Sequence, residues 1–132
     1  MDWIDYDYAI VRLVPQVHIG AFLNIGVVLQ SRRARFLDAR FHLDGERILA
    51  AAPSIDLELL ERYVDAFARV CRGGGEGGPI GHLPISERFH WLTSPRSAIL
   101  QTSPVHPGRC HNLEEALNRI FLENVPMPVE RK

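Results

Sequence analysis

Residues 25 to 30 of this chain read Ile-Gly-Val-Val-Leu-Gln, and this short continuous apolar run constrains the fold more than any other feature. It predicts a strand buried on both faces. Arg32 and Arg33 mark a turn, and beyond it Leu37, Ala39 and Phe41 alternate with Asp38, Arg40 and His42. Alternation of that kind belongs to a half-exposed strand, so the two segments form an antiparallel hairpin. Upstream, residues 6 to 14 are rich in aromatic and β-branched types and end at Pro15, which gives another strand. Its period of two puts Tyr8, Ile10, Arg12 and Val14 on one face and Ala9, Val11 and Leu13 on the other. Arg12 therefore sits among apolar neighbours, where a lone arginine snorkels to an edge or finds a partner.

The middle of the chain changes period. Asp44 caps a short helix over 45 to 52, stopped by Pro53. A longer helix runs from about Asp56 to Arg72, with Leu60, Tyr63, Val64, Phe67, Val70 and Cys71 as its apolar stripe,. Gly73 to Pro79 holds five glycines, too many for a regular element, and reads as a flexible loop. It is no phosphate loop: no Lys-Ser or Lys-Thr follows, and Pro79 removes a donor. A short helix over 86 to 93 carries Phe89, Trp91 and Leu92, and a strand follows over Ser97 to Ser103. The last helix opens at Asn112 in a capping box with Glu115, presents Leu113, Ala116, Leu117, Ile120 and Phe121, and closes at Pro126. The sum is an α+β single domain, an antiparallel sheet with helices packed on one face.

At 132 residues, with 46% apolar and 23% charged side chains, the chain is sized for one core without disulfide staples. Fifteen basic against sixteen acidic residues leave a net charge of -1, so no global field draws nucleic acid. No apolar stretch reaches the roughly 18 residues of a membrane helix. The opening Met1-Asp2-Trp3-Ile4-Asp5 lacks the basic and apolar regions of a signal peptide, and a cytoplasmic location is expected. Cys71 and Cys110 are expected to be unbridged there, with Cys71 buried.

Candidate chemistry is sparse. His106, Cys110 and His111 lie close in sequence, but the spacing matches no finger pattern and no second Cys/His pair completes a tetrahedral site. They read as loop residues, and neither a metal nor a cofactor is expected. Ser86, Ser94, Ser97 and Ser103 lack a nucleophile-elbow setting, and Ser94 and Ser97 flank Pro95-Arg96 as capping residues of a turn. Arg32, Arg33, Arg35 and Arg40 form the strongest local charge feature. They guard a sheet edge or grip an acidic partner or nucleic acid. Gly26 within the buried run implies a bulge or a close approach, and Asn24 before it is expected to fix a turn through local backbone. Trp3, Tyr6 and Trp91 are candidate interface anchors, with core packing the expectation for Trp91.

Three stretches together, residues 8 to 15 (Tyr-Ala-Ile-Val-Arg-Leu-Val-Pro), 22 to 29 (Phe-Leu-Asn-Ile-Gly-Val-Val-Leu) and 89 to 97 (Phe-His-Trp-Leu-Thr-Ser-Pro-Arg-Ser), resemble the small bacterial proteins grouped as domain of unknown function family 3037. One place departs from the pattern: where an acidic residue stands three positions before the asparagine, this chain has Ala21, so no role of that carboxylate carries over. The resemblance implies no activity. By gene neighbourhood it implies a kinase-like partner resembling the HipA toxin. The leading expectation is thus a non-catalytic accessory or interaction module. The alternatives are an enzyme or small-ligand binder for an anionic substrate, through Arg12, Asn24, Arg96, Ser97 and Gln101, and a nucleic-acid binder through the arginine hairpin.

Overall fold

The computed structural model describes residues 2–14, 22–94 and 99–126. Pro15, Ala21, Pro95, Arg96 and Ser97 lie outside the described residues. In chain order the elements are β1 (Ile4–Leu13), β2 (Leu23–Ser31), β3 (Phe36–Phe41), α1 (Gly45–Ala51), α2 (Leu57–Arg72), a run of 3-10 turns (Gly74–His82), α3 (Ile85–Thr93), β4 (Leu100–Thr102), β5 (His106–Cys110) and α4 (Leu113–Asn124). The two expected caps hold, with Asp44 and Asn112 accepting from the N–H of Arg47 and Glu115, and Asp56, where the long helix was expected to start, caps it by accepting from Leu59 N–H.

β1 is central and all pairings are antiparallel. β2 lies along one of its edges with β3 beyond, while β5 and β4 share the other edge. The β1–β2 register steps from Val11 opposite Gly26 to Arg12 opposite Asn24, so Ile25 is an extra residue, and this bulge turns it into the core. Gly26 has both of the features anticipated for it, since a Cβ there would meet the Phe41 ring and the Arg40 carbonyl.

Side-chain alternation then divides the molecule into layers. Ala9, Val11 and Leu13 join Ile25 and Val28 against Leu60, Phe67 and Val70 of α2 and Phe89 and Leu92 of α3. The opposite face is apolar as well: Tyr6, Ile10, Val27 and Leu29 pack on Leu113, Ala116, Leu117, Ile120 and Phe121. The α+β fold with one antiparallel sheet is as expected, and α1, α2 and α3 share one face. α4 differs from the one-face arrangement by closing the other face, because that face carries bulky apolar side chains that water would otherwise meet.

β4 and β5 divide what was read as one strand over 97 to 103 followed by loop. The ladder along β1 is interrupted at Ser103-Pro104, where a proline stands in the chain. Ser103 repairs it: its N–H donates to the Ile10 carbonyl at 2.8 Å, and its Oγ accepts from the Ile10 N–H at 2.9 Å. The Tyr6 ring lies across Gly108, where no Cβ would fit, and holds β5 against β1. His106 and Cys110 are thus strand residues rather than loop residues.

The glycine-rich segment is not an unstructured connector either. It forms 3-10 turns with a kink at Gly78 and lies on the C-terminal end of α2. Glycine is required by contact: a Cβ on Gly81 would run into the Gly74 carbonyl.

Ser103→Ala leaves the Ile10 N–H buried without its acceptor. A loss of about 1–3 kcal/mol is expected, measured as a lower urea midpoint at unchanged slope.

Candidate functional site

A groove of about 530 Å³ opens between α2, the 3-10 segment, α3 and β4. Its floor is Phe67, Val70, Ile80 and Leu92, and Leu100, Gln101 and Thr102 form one wall. Tyr63 and Trp91 stand on the rim, 43% and 38% exposed. Tyr63 was placed on the apolar stripe of its helix, and Trp91, a candidate interface anchor, was expected to pack in the core, but the core under α2 is filled by Leu60, Phe67 and Val70, and these two rings fall beyond it. The charged rim groups are already engaged: Arg69 pairs with Asp65 at 2.7 Å, and Glu76 with Arg72 at 3.4 Å.

The β4 wall presents main-chain groups to the groove side. Val14 N–H donates to Ile99 O, and Ser103 N–H to Ile10 O. Alternation in an antiparallel ladder then turns the Gln101 backbone toward Arg12, and the N–H and C=O of Leu100 and Thr102 outward. The same alternation puts the nitrogen of Pro107, which has no hydrogen, on the outer edge of β5. Beside it Arg109, exposed, pairs with Asp5 at 2.9 Å. Proline and charge blunt the β5 edge, while β4 carries neither.

Of the residues expected to bind a small anion, Asn24, Arg12 and Gln101 stand in one cross-strand row over β2, β1 and β4. Arg96 and Ser97 lie outside the described residues. Asn24 makes no local turn; its Nδ2 donates to the Asn124 carbonyl at the end of α4, at 2.9 Å. The Arg12 guanidinium lies over the Phe22 ring, 4.1 Å from its centre, a cation–π contact.

The other candidates separate. Arg32, Arg33 and Arg35 are exposed in the hairpin turn, where Arg35 adopts φ 53°. Arg40 stands down the strand and bridges to Glu114 of α4 at 2.7 Å. Trp3 stacks on His111 at 3.9 Å, whereas Tyr6 is buried under α4. Among the described residues no group of three His, Cys, Asp or Glu is placed to hold a metal ion. Burial pushes the Cys71 thiol up to about 12, and desolvation also raises that of Cys110. Both are free cysteines and stay protonated at neutral pH, so neither is an activated nucleophile. No helix among the described residues is long and apolar enough to cross a membrane.

The family model described as "Protein of unknown function (DUF3037)" matches residues 8–125. The chain belongs to this family. Neither the comparison with curated proteins nor that with solved structures returns a match. The DUF3037 match spans the sheet from Tyr8 onward, all four α-helices, the groove and the Asn24–Arg12–Gln101 row.

One residue that sequence reasoning passed over shapes the groove in this DUF3037 chain. Arg88 of α3 donates through Nη1 to the carbonyls of Val70 and Cys71 at 2.8 and 2.9 Å, and through Nε to that of Leu83 at 2.9 Å. It ties the end of α2 and the exit of the 3-10 segment to α3, as the fixed guanidinium fork allows. No local sequence signal distinguishes it from a solvated helix charge, since its acceptors are backbone carbonyls. Arg88→Ala is expected to cost about 2–4 kcal/mol, and Arg88→Lys to recover less than half of that, because an ammonium cannot span the acceptors. Chemical denaturation of the three proteins checks it.

Proposed function

We propose that the protein is a non-catalytic, cytoplasmic accessory module that binds an extended segment of a partner protein along β4, with the segment's apolar side chains in the adjoining groove. The observation that carries this reading is the outward backbone edge of Leu100 and Thr102 beside an apolar groove with an aromatic rim. An added strand takes its affinity from main-chain hydrogen bonds and its specificity from pockets for alternate side chains. Tyr63 and Trp91 supply large rigid surface of the kind that dominates binding energy. Pairing of Arg69 with Asp65 and of Arg72 with Glu76 favours an apolar occupant over a charged one. The first partner to test is the kinase-like, HipA-resembling protein that the family resemblance implies.

Calorimetric titration of the purified protein with that kinase-like protein checks the reading. Trp91→Ala and Tyr63→Ala are each expected to weaken binding about tenfold or more, while Arg33→Ala in the hairpin turn leaves it unchanged. Binding that ignores both aromatic substitutions and disappears with Arg33→Ala would move the interface to the arginine turn.

A further inference from the structure

The register of β4 constrains the side chains and the direction of a segment bound beside it. Gln101 pairs with Arg12, while Leu100 and Thr102 stand opposite Leu13 and Val11. Cross-strand partners share a face of the sheet, and Val11 and Leu13 belong to the core under α2 and α3. The Leu100 and Thr102 side chains therefore lie on the groove side. Thr102 Oγ1 accordingly donates to the Thr93 carbonyl of α3 at 3.3 Å, and both residues line the groove. They are also the two residues whose N–H and C=O groups turn outward. Main-chain bonding capacity and groove wall thus coincide at two positions of β4, with Gln101 between them facing the other way.

A strand laid antiparallel on this edge, like every pairing within the sheet, exchanges both main-chain bonds at each outward residue. One residue of the segment then stands opposite Thr102 and the next but one opposite Leu100. Their side chains fall on the groove face, about 7 Å apart along the strand, and the residue between them falls on the opposite face beside Gln101. A parallel segment would place its bonds on the middle residue instead. The groove of about 530 Å³ has an apolar floor, and its rim is charge-neutral because Arg69 pairs with Asp65 and Glu76 with Arg72. Such a space suits uncharged, large side chains. Resting on the partner-binding reading, we propose that the segment recognised is a three-residue stretch running antiparallel to β4, with large apolar residues first and third and a polar residue between them. Two adjacent apolar residues do not satisfy the site, since one of them is turned to the wrong face.

The test is an NMR titration of the isotope-labelled full-length wild-type protein with capped peptides, following the amides of Leu100 and Thr102 and the Trp91 indole. Acetyl-Ser-Phe-Thr-Phe-Ser-amide is expected to shift these signals saturably. Acetyl-Ser-Phe-Phe-Thr-Ser-amide, of the same composition, is expected to bind about tenfold more weakly or worse. N-methylation of either phenylalanine in the first peptide removes a main-chain bond and is expected to cost about tenfold, whereas N-methylation of its threonine leaves affinity unchanged. The proposal is overturned if the first peptide leaves Leu100 and Thr102 unmoved, or if the two compositions bind alike. It is equally overturned if threonine N-methylation is the damaging one, which would make the segment parallel. Failure of this motif and failure of the partner-binding reading are distinguishable. If the peptides fail while the kinase-like protein still binds and loses affinity with Trp91→Ala, the motif alone falls; if that binding also ignores Trp91→Ala and Tyr63→Ala, both fall.

Discussion

A strand covered on both faces and paired on both edges needs four sets of neighbours, and β1 determines where each one goes. Ala9, Val11 and Leu13 call for α2 and α3, and Tyr6 and Ile10 call for α4. Burial of this kind is worth roughly 25 cal/mol per Å² of apolar surface, and it is available only if helices close both faces. One edge is satisfied by β2. The other is satisfied in two pieces, with Ser103 bridging the proline break between them.

The division into two pieces has a functional consequence. Had the ladder continued smoothly, β4 and β5 would present one edge with one character. Instead β5 carries Pro107 and the Arg109–Asp5 pair, while β4 emerges beside the groove with its outward backbone groups unguarded. Arg88 then holds the 3-10 segment and α3 in position as the remaining walls. The groove is therefore a product of backbone hydrogen bonding as much as of apolar packing.

What the sequence made legible was local. The caps at Asp44 and Asn112 accept from backbone N–H groups three residues on, and the β2–β3 hairpin depends on adjacent alternation. What stayed hidden was long-range. The run Ile25–Leu29 announces cover on both faces, but nothing near it says that α4, far along the chain, supplies the second layer. β5 reads as loop because His106-Pro107-Gly108 holds two strand breakers, and what makes it a strand is its long-range ladder with β1, with the Tyr6 ring lying across Gly108. The glycine-rich segment reads as slack because the arginine that fixes its ends lies beyond it in sequence. At the candidate sites, alternation placed Arg12 among apolar neighbours and the matched motifs singled out Asn24, yet the carbonyl that fixes Asn24 is 100 residues away. Tyr63 was assigned to the core because helical periodicity gives a face and not a depth.

β4 completes the sheet through its inner edge, at Gln101, and turns the backbone groups of Leu100 and Thr102 outward beside the groove,. Residue-resolved amide hydrogen exchange on the free protein tests this directly. A slow Gln101 amide, protected together with Arg12, is expected, flanked by rapidly exchanging amides at Leu100 and Thr102. Slow exchange at all three would mean that the edge is already covered. Fast exchange at all three would mean that β4 is not part of the sheet, and either result would rule out an open outer edge on a paired β4.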